Sequence, residues 1–329
     1  MKVLVCSAGY LSSVQDLGRT GYRQSGVSVG GALDPHALRV ANALVGNNDD
    51  VAGLEATLGT LRLQFQDERT VAWCGGEFSV RIGDTEFSPG HAGRVASGDE
   101  LTITAPNAGG RAWLAISGGI DVRIVLGSRS TDLRGNFGGF EGRALRDGDE
   151  LALGIKERRF EIADGETRRF QIAAPWGAPA PWAAVSNRNP VLRVVRGTEW
   201  DRFTEEAQYS LVTRAFTVSS DSDRMGVRLE GPELRRRDAR DLLSEAVAPG
   251  TIQVPPNGRP ILLLGDCQTI GGYPKIAHVI TVDLPFAAQL SPGQTLRFQE
   301  VSLAEAHLLL RQREEHFARF RVGLDLHSR

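Results

Sequence analysis

Ten consecutive residues, from Asp266 to Lys275, gather a carboxylate (Asp266), an amide (Gln268), a hydroxyl (Thr269), a phenol (Tyr273) and an ammonium (Lys275). An ammonium can stabilise a developing oxyanion or enolate, and a carboxylate can move a proton. Lys275 with Asp266 is therefore the expected chemical pair, and Glu245 is a second candidate acid. Gln268 and Tyr273 could orient an amide or ureido group by hydrogen bonds. Thr269, Gln253 and Arg224 complete the candidate substrate-binding set. Lysine is scarce: Lys2, Lys156 and Lys275 are the only three among 38 basic residues. A chain that solvates itself with arginine gives weight to a lysine in a polar loop. The plainer reading is a polar hairpin turn with a glycine bulge at Gly271-Gly272.

Other chemistry is tested and mostly set aside. Cys267 with His278 suggests a thiol nucleophile, but no third orienting group is evident. The competing reading, a small buried thiol, is the stronger one. No lysine lies in a phosphate-binding Gly-Lys-Ser/Thr sequence, so ATP hydrolysis by that route is excluded. No G-x-G-x-x-G follows a strand and opens a helix. The six histidines are scattered and far from the cysteines, so no metal site is expected. The only methionines are Met1 and Met225, so no lysine lies between methionines, and any biotin must arrive on another protein.

The elements that must position these groups read as mostly short strands. Ile261 to Leu264 is an apolar run bounded by turn residues, which suits a strand buried on both faces. It delivers the polar loop from Gly265 to Lys275, and polar groups on a loop held by a strand are the usual form of a site. Further strands are expected at 2–6, 61–65, 70–74, 78–82, 101–104, 111–116, 150–153, 191–195, 216–219 and 296–298. Asp34-Pro35 predicts a helix N-cap followed by proline at the first position, with the helix running to Leu44 and stopping at Gly46-Asn47. A short helix is expected over 201–208. A terminal amphipathic helix is expected from Ser302 to about Phe320, opened by a Ser302/Glu305 capping box. Its apolar stripe would be Leu303, Ala306, Leu309 and Leu310, with Arg313 solvated. Residues 127–143 form a long loop rich in hydroxyls, arginines and glycine, a type often functional.

The chain has 329 residues, more than one core usually serves, so two domains are expected. Pro175, Pro179, Pro181 and Pro190 among alanines mark a linker over 173–190. The boundaries are set at 1–188 and 189–329. An internal echo supports this: Asp16, Arg19, Gly21, Arg23 and Gly26 match Asp221, Arg224, Gly226, Arg228 and Gly231 at the same spacing. The net charge of −2 argues against a dedicated nucleic-acid or anionic-membrane protein. Three separated cysteines form no disulfide framework, and a reducing cytoplasm is the expected location. The N-terminal apolar run is too short for a signal peptide, and no run is long enough to span a bilayer.

Several of these segments resemble one family, the allophanate hydrolase subunit 2 group, also called KipA-like or the 5-oxoprolinase C-subunit (PxpC) group. They are also similar to half of the carboxyltransferase domain of urea carboxylase. The resemblance is carried by Val14 to Arg23, Gly31 to Asp34, Ala41 to Asn47, Leu54 to Leu58, Gly127 to Thr131, Ser222 to Gly226 and the stretch from Ser244 to Lys275. Departures are Leu33, where methionine is common, and Cys267, a variable position in the D-x-Q-T motif. The resemblance implies a mainly β chain of two cyclophilin-like β-barrel domains with short helices and a C-terminal helix. It implies a subunit 1 partner (KipI/PxpB-like) and a possible third, PxpA-like subunit. It implies work on small amide or ureido compounds: ATP-dependent opening of 5-oxoproline to glutamate, or carboxyl transfer from biotin carried elsewhere. A non-catalytic, KipA-like regulator is the remaining alternative. No cofactor is expected on this chain alone; ATP would be used by the complex.

Overall fold

The computed structural model describes residues 1–156, 170–172, 177–185, 188–238, 240 and 242–327. The linker expected over 173–190 lies partly outside them, at 173–176, 186 and 187. Two compact units are present. One comprises Met1–Arg19, Asp34–Ser186 and His316–Arg329; the other comprises Thr20–Leu33 and Asn187–Glu315.

The strands of the first unit are Lys2–Ala8 (β1), Leu11–Gln15 (β2), Gly53–Thr57 (β3), Leu61–Phe65 (β4), Arg69–Gly75 (β5), Ser79–Ile82 (β6), Thr85–Glu86 (β7), Ala92–Val95 (β8), Glu100–Thr104 (β9), Arg111–Ile116 (β10), Glu150–Ala152 (β11) and Phe170–Ile172 (β12). They make two six-stranded sheets, ordered β11-β1-β4-β9-β6-β7 and β12-β8-β5-β10-β3-β2. In β4, Leu61, Leu63 and Phe65 are buried while Arg62 and Gln64 face out, the alternation of a strand covered on one face. All six residues of β10 are buried, as in a strand covered on both. Leu63 and Phe65 from one sheet share an apolar core with Trp73 and Leu114 from the other. The expected helix is present as Pro35–Leu44 (α1), and the Asp34 carboxylate accepts the Ala37 N–H at 2.9 Å. The long loop at 127–143 is ordered by its own polar groups. Asp16 accepts hydrogen bonds from the Ser128 and Ser130 hydroxyls at 2.6 and 2.5 Å and from the Arg129 N–H at 2.5 Å. Its serines are thus buried structural partners of Asp16.

The second unit holds Val191–Arg196 (β13), Ala215–Val218 (β14), Gly226–Glu230 (β15), Glu245–Ala246 (β16), Thr251–Gln253 (β17), Ile261–Leu263 (β18), Ile270–Gly271 (β19), Lys275–Val279 (β20) and Thr295–Glu300 (β21). Seven of these close a barrel in the order β13-β20-β17-β18-β15-β14-β21. The β13/β21 pair is parallel and the others are antiparallel. Phe216 and Phe298, with ring centroids 5.7 Å apart, are both buried. The remaining pair, β16 and β19, forms a two-stranded ribbon. The chain is therefore mainly β, with a closed barrel, short helices and a C-terminal helix.

The helices depart from expectation in three ways. A 3₁₀ turn occupies Trp200–Arg202, and the true helix is Glu205–Thr213. Thr204 caps it by accepting the Ala207 N–H, and Glu205 and Glu206 suit its first turn, so it starts later than 201. The terminal helix runs over Leu303–His327, beyond Phe320, with Ser302 Oγ accepting the Glu305 N–H at 3.1 Å. Leu303 is 60% exposed rather than part of a buried stripe, whereas Arg313 is half-buried and donates to the Thr281 carbonyl.

Candidate functional site

The site is built where β20 meets its two neighbours in the barrel. Against β17, His278 pairs with Thr251 and Lys275 with Gln253, and a bulge at Ile276 shifts the register between them. Bulges re-aim side chains, and here the one displaced is the lysine. Against β13, Arg196 pairs with Ala277, and the chain leaving β13 doubles back over β20. The Gly197 N–H donates to the Ile276 carbonyl at 2.9 Å and the Glu199 N–H to the Lys275 carbonyl at 3.3 Å. A Cβ on Gly197 would sit 2.1 Å from the Lys275 carbonyl oxygen, so this close approach requires glycine.

Glu199 is thereby placed on Lys275. Its Oε2 accepts the Lys275 backbone N–H at 2.8 Å, and its Oε1 lies 3.4 Å from Nζ. Glu245 reaches the same ammonium from the β16/β19 ribbon, where it pairs with Gly271; its Oε2 accepts from Nζ at 2.5 Å. Exposure separates the two carboxylates: the side chains of Lys275 and Glu199 are 7% and 12% exposed, that of Glu245 62%. Burial pulls the Lys275 pKa down, but the two glutamates outweigh it and the net shift is upward. The hydrogen bond and charge of Lys275 hold the Glu245 carboxyl below its usual range. The pair is thus ionised at neutral pH.

Asp266 does not pair with Lys275 as expected. The Asp266 N–H donates to the Arg224 carbonyl, which runs the two segments side by side, and Arg224 takes the carboxylate with two bonds of 2.8 and 3.2 Å. Arg224 also donates to the Gly31 carbonyl at 2.7 Å, the Gly30 N–H to the Gly265 carbonyl at 3.2 Å, and Arg23 to the Val247 carbonyl. Arg224 and Asp266 therefore anchor the loop and the 20–33 segment beneath it.

The amides hold the same loop from inside. Gln253 is 1% exposed; it donates to the Tyr273 carbonyl and accepts from Gln268, each at 3.2 Å. Thr269 is buried and its carbonyl accepts the Val247 N–H. The Tyr273 side chain is 46% exposed at the loop's surface. Cys267 packs with Val247 and Leu263, and burial pushes its thiol up to about 11, which removes the nucleophile reading. His278 is half-buried, with Nδ1 3.2 Å from Thr251 Oγ1. Burial and the nearby Lys275 push its pKa down, so its imidazole is neutral at pH 7. Among the described residues no group of three His, Cys, Asp or Glu is placed to hold a metal ion.

The structure thus brings Lys275 and Glu245 together, adds Glu199, and assigns Asp266, Arg224, Gln253 and Gln268 to holding the loop. Sequence reasoning misses Glu199. The signal available is Gly197-Thr198-Glu199 directly after a strand, a glycine that lets the next residues fold back.

The chain belongs to the carboxyltransferase-domain family, subdomains A and B, whose model matches residues 25–300. Within it, the chain is 41% identical to the 5-oxoprolinase C-subunit of Escherichia coli (strain K12), over 95% of both chains. It is 37% identical to the 5-oxoprolinase C-subunit of Haemophilus influenzae, over 95% of this chain and 96% of that one. Its structure is similar to that of Kluyveromyces lactis urea carboxylase, with a TM-score of 0.85 and 32% identity; the match covers 95% of this chain and 28% of that one. No helix among the described residues is long and apolar enough to cross a membrane.

Proposed function

We propose that this chain is a subunit of an ATP-dependent 5-oxoprolinase, the complex that opens 5-oxoproline to glutamate. The observation that carries the reading is the Lys275 ammonium, nearly buried, fixed by Glu199 and reaching an exposed edge at Glu245. Opening a lactam drives negative charge onto the carbonyl oxygen, and a preorganised ammonium in a poorly solvated wall stabilises that charge. Lys275 is the electrostatic group in this reading. Gln268, Thr269 and Tyr273 line the loop that presents it, and Asp266 acts through Arg224. The likeness to two proteins named as C-subunits of 5-oxoprolinase supports the substrate. A KipI/PxpB-like subunit 1 and a PxpA-like subunit would complete the complex, which uses ATP, in the cytoplasm, with no resident cofactor on this chain.

The test is to co-express the chain with those subunits and assay ATP-dependent glutamate release from 5-oxoproline. Lys275→Ala should abolish release while the complex still assembles. Release unaffected by the substitution would move the site elsewhere. A second reading, carboxyl transfer from biotin carried on another protein, is favoured by the family description and the likeness to urea carboxylase. An intact complex that releases no glutamate but carboxylates an amide or ureido acceptor from carboxybiotin would replace the first reading with the second.

A further inference from the structure

Lys275 carries two carboxylates that are held very differently. Glu199 is bound three times to the same residue: Oε2 to its N–H, Oε1 to its Nζ, and its own N–H to the Lys275 carbonyl. It is also 12% exposed. It cannot leave without uncovering the lysine backbone. Among the described residues, Glu245 makes one side-chain hydrogen bond, to Nζ, and its side chain is 62% exposed. Its ribbon has only two residue pairs, Glu245 with Gly271 and Ala246 with Ile270. Solvent-exposed ion pairs contribute little net stability, because water compensates the carboxylate that departs. The ammonium has no such freedom, since a nearly buried charge needs a partner.

We infer that Glu245 is a displaceable counter-ion, and that the ligand taking its place on Lys275 Nζ is a small-molecule carboxylate. Such a ligand supplies the same charge at the same point, so the site's net charge toward the lysine is unchanged on exchange. A neutral amide would leave the ammonium with Glu199 alone, and gains no advantage over Glu245. This deepens the proposed function by assigning one of the three Nζ–H donors to the substrate carboxylate on binding, with Glu199 facing the second and the third left for the lactam oxygen, and it rests on Lys275 lying in the functional site. No bond is made or broken in the exchange.

The experiment measures binding by the purified full-length chain without ATP, so its outcome is separate from turnover by the complex. The probes are 5-oxoproline and 2-pyrrolidinone, the same lactam without the carboxylate. Glu245→Ala removes the competitor and should tighten 5-oxoproline roughly two- to fivefold, leaving 2-pyrrolidinone unchanged. Glu245→Gln, which keeps the shape but not the charge, should behave alike. Lys275→Met should erase the preference for the carboxylate; circular dichroism checks its fold, and the two Glu245 variants decide the question if it fails. Equal effects on both probes, a weaker 5-oxoproline complex, or no binding of either probe by Glu245→Ala at millimolar concentration would each overturn the inference. So would unchanged small-molecule binding with tighter association of a co-expressed subunit, which would assign the position to a partner's carboxylate. If Glu245→Ala tightens 5-oxoproline while the assembled complex releases no glutamate, the exchange stands and the oxoprolinase reading falls.

Discussion

Glu199 grips Lys275 at both ends. One carboxylate oxygen accepts the lysine's backbone N–H at 2.8 Å and the other lies 3.4 Å from its Nζ. The contact fixes strand end and side chain together, so the ammonium is aimed before any ligand arrives. Preorganisation of this kind is what an electrostatic site needs. Glu199→Gln should cost about 1–3 kcal/mol of stability, because it leaves a nearly buried ammonium with one exposed partner. Glu245→Gln should be far milder. Urea unfolding of the two variants side by side measures the contrast, and equal midpoints would contradict it.

Gly197 permits that grip. A methyl group there would meet the Lys275 carbonyl oxygen at 2.1 Å, a clash with backbone that no rotamer relieves. Gly197→Ala should therefore destabilise the chain by about 1–3 kcal/mol through overpacking. The same shift should move Glu199 off Lys275. In the proposed complex, turnover should fall further than the fraction of unfolded protein explains. A Gly197→Ala complex of unchanged specific activity would show that the loop's position is not needed.

His278 predicts a pH dependence. Its folded-state pKa lies below the ordinary 6.5, through burial first and Lys275 second. The unfolded chain therefore binds a proton near pH 6.5 that the folded chain refuses. Above that pH the imidazole is neutral in both states and costs nothing. As pH falls below 6.5 the unfolded state gains, and stability declines until the folded pKa is reached. Denaturation midpoints of wild type and His278→Gln between pH 8 and 5 test this, and the variant should lose less over that range. Identical slopes would remove His278 as the cause.

How much of this is legible in the sequence follows the range of each interaction. Alternation and caps act within a few residues, and they locate β4, β10 and the Asp34 cap of α1 directly. The start of Glu205–Thr213 is misjudged because apolar spacing alone ignores Thr204, the residue able to cap it. Lys275 stands out because a lysine is rare here and sits in a polar loop. Its pairing does not, because Asp266 is nine residues away while Glu199 is seventy-six, and register decides which one arrives. Composition shows which groups a loop owns. It does not show that Arg224, forty-two residues earlier, has already claimed the aspartate.

Arg224 and Asp266 should behave as a coupled pair. The arginine makes two bonds to the carboxylate and one to the Gly31 carbonyl, with 5% of its side chain exposed. Arg224→Ala removes both bonds to the aspartate and should cost about 3–5 kcal/mol, the range for breaking a buried pair. Asp266→Asn should cost less, since an amide oxygen still accepts. The double variant should be less destabilised than the two single costs added, and a double-mutant cycle in urea reads that coupling. Full additivity would mean the pair does not interact in solution.

Lys275→Arg separates charge from placement. An arginine keeps the positive charge but spreads it over a planar fork on a different stem. Glu199 Oε1 and Glu245 Oε2 converge on one compact ammonium, at 3.4 and 2.5 Å, and the bulge at Ile276 sets that point. A guanidinium reaching the same carboxylates would carry its nitrogens past it, toward the space a ligand must occupy. If the site needs only positive charge, Lys275→Arg should retain most of the turnover that Lys275→Ala loses. If it needs a donor at one position, turnover should fall about a hundredfold or more, the scale seen when one oxyanion donor is removed. We expect the second outcome, with assembly of the complex unchanged. The paired measurement is kcat and KM of the assembled complex for both variants. A lower kcat would report the lysine's work in the transition state, and a higher KM its hold on the substrate carboxylate.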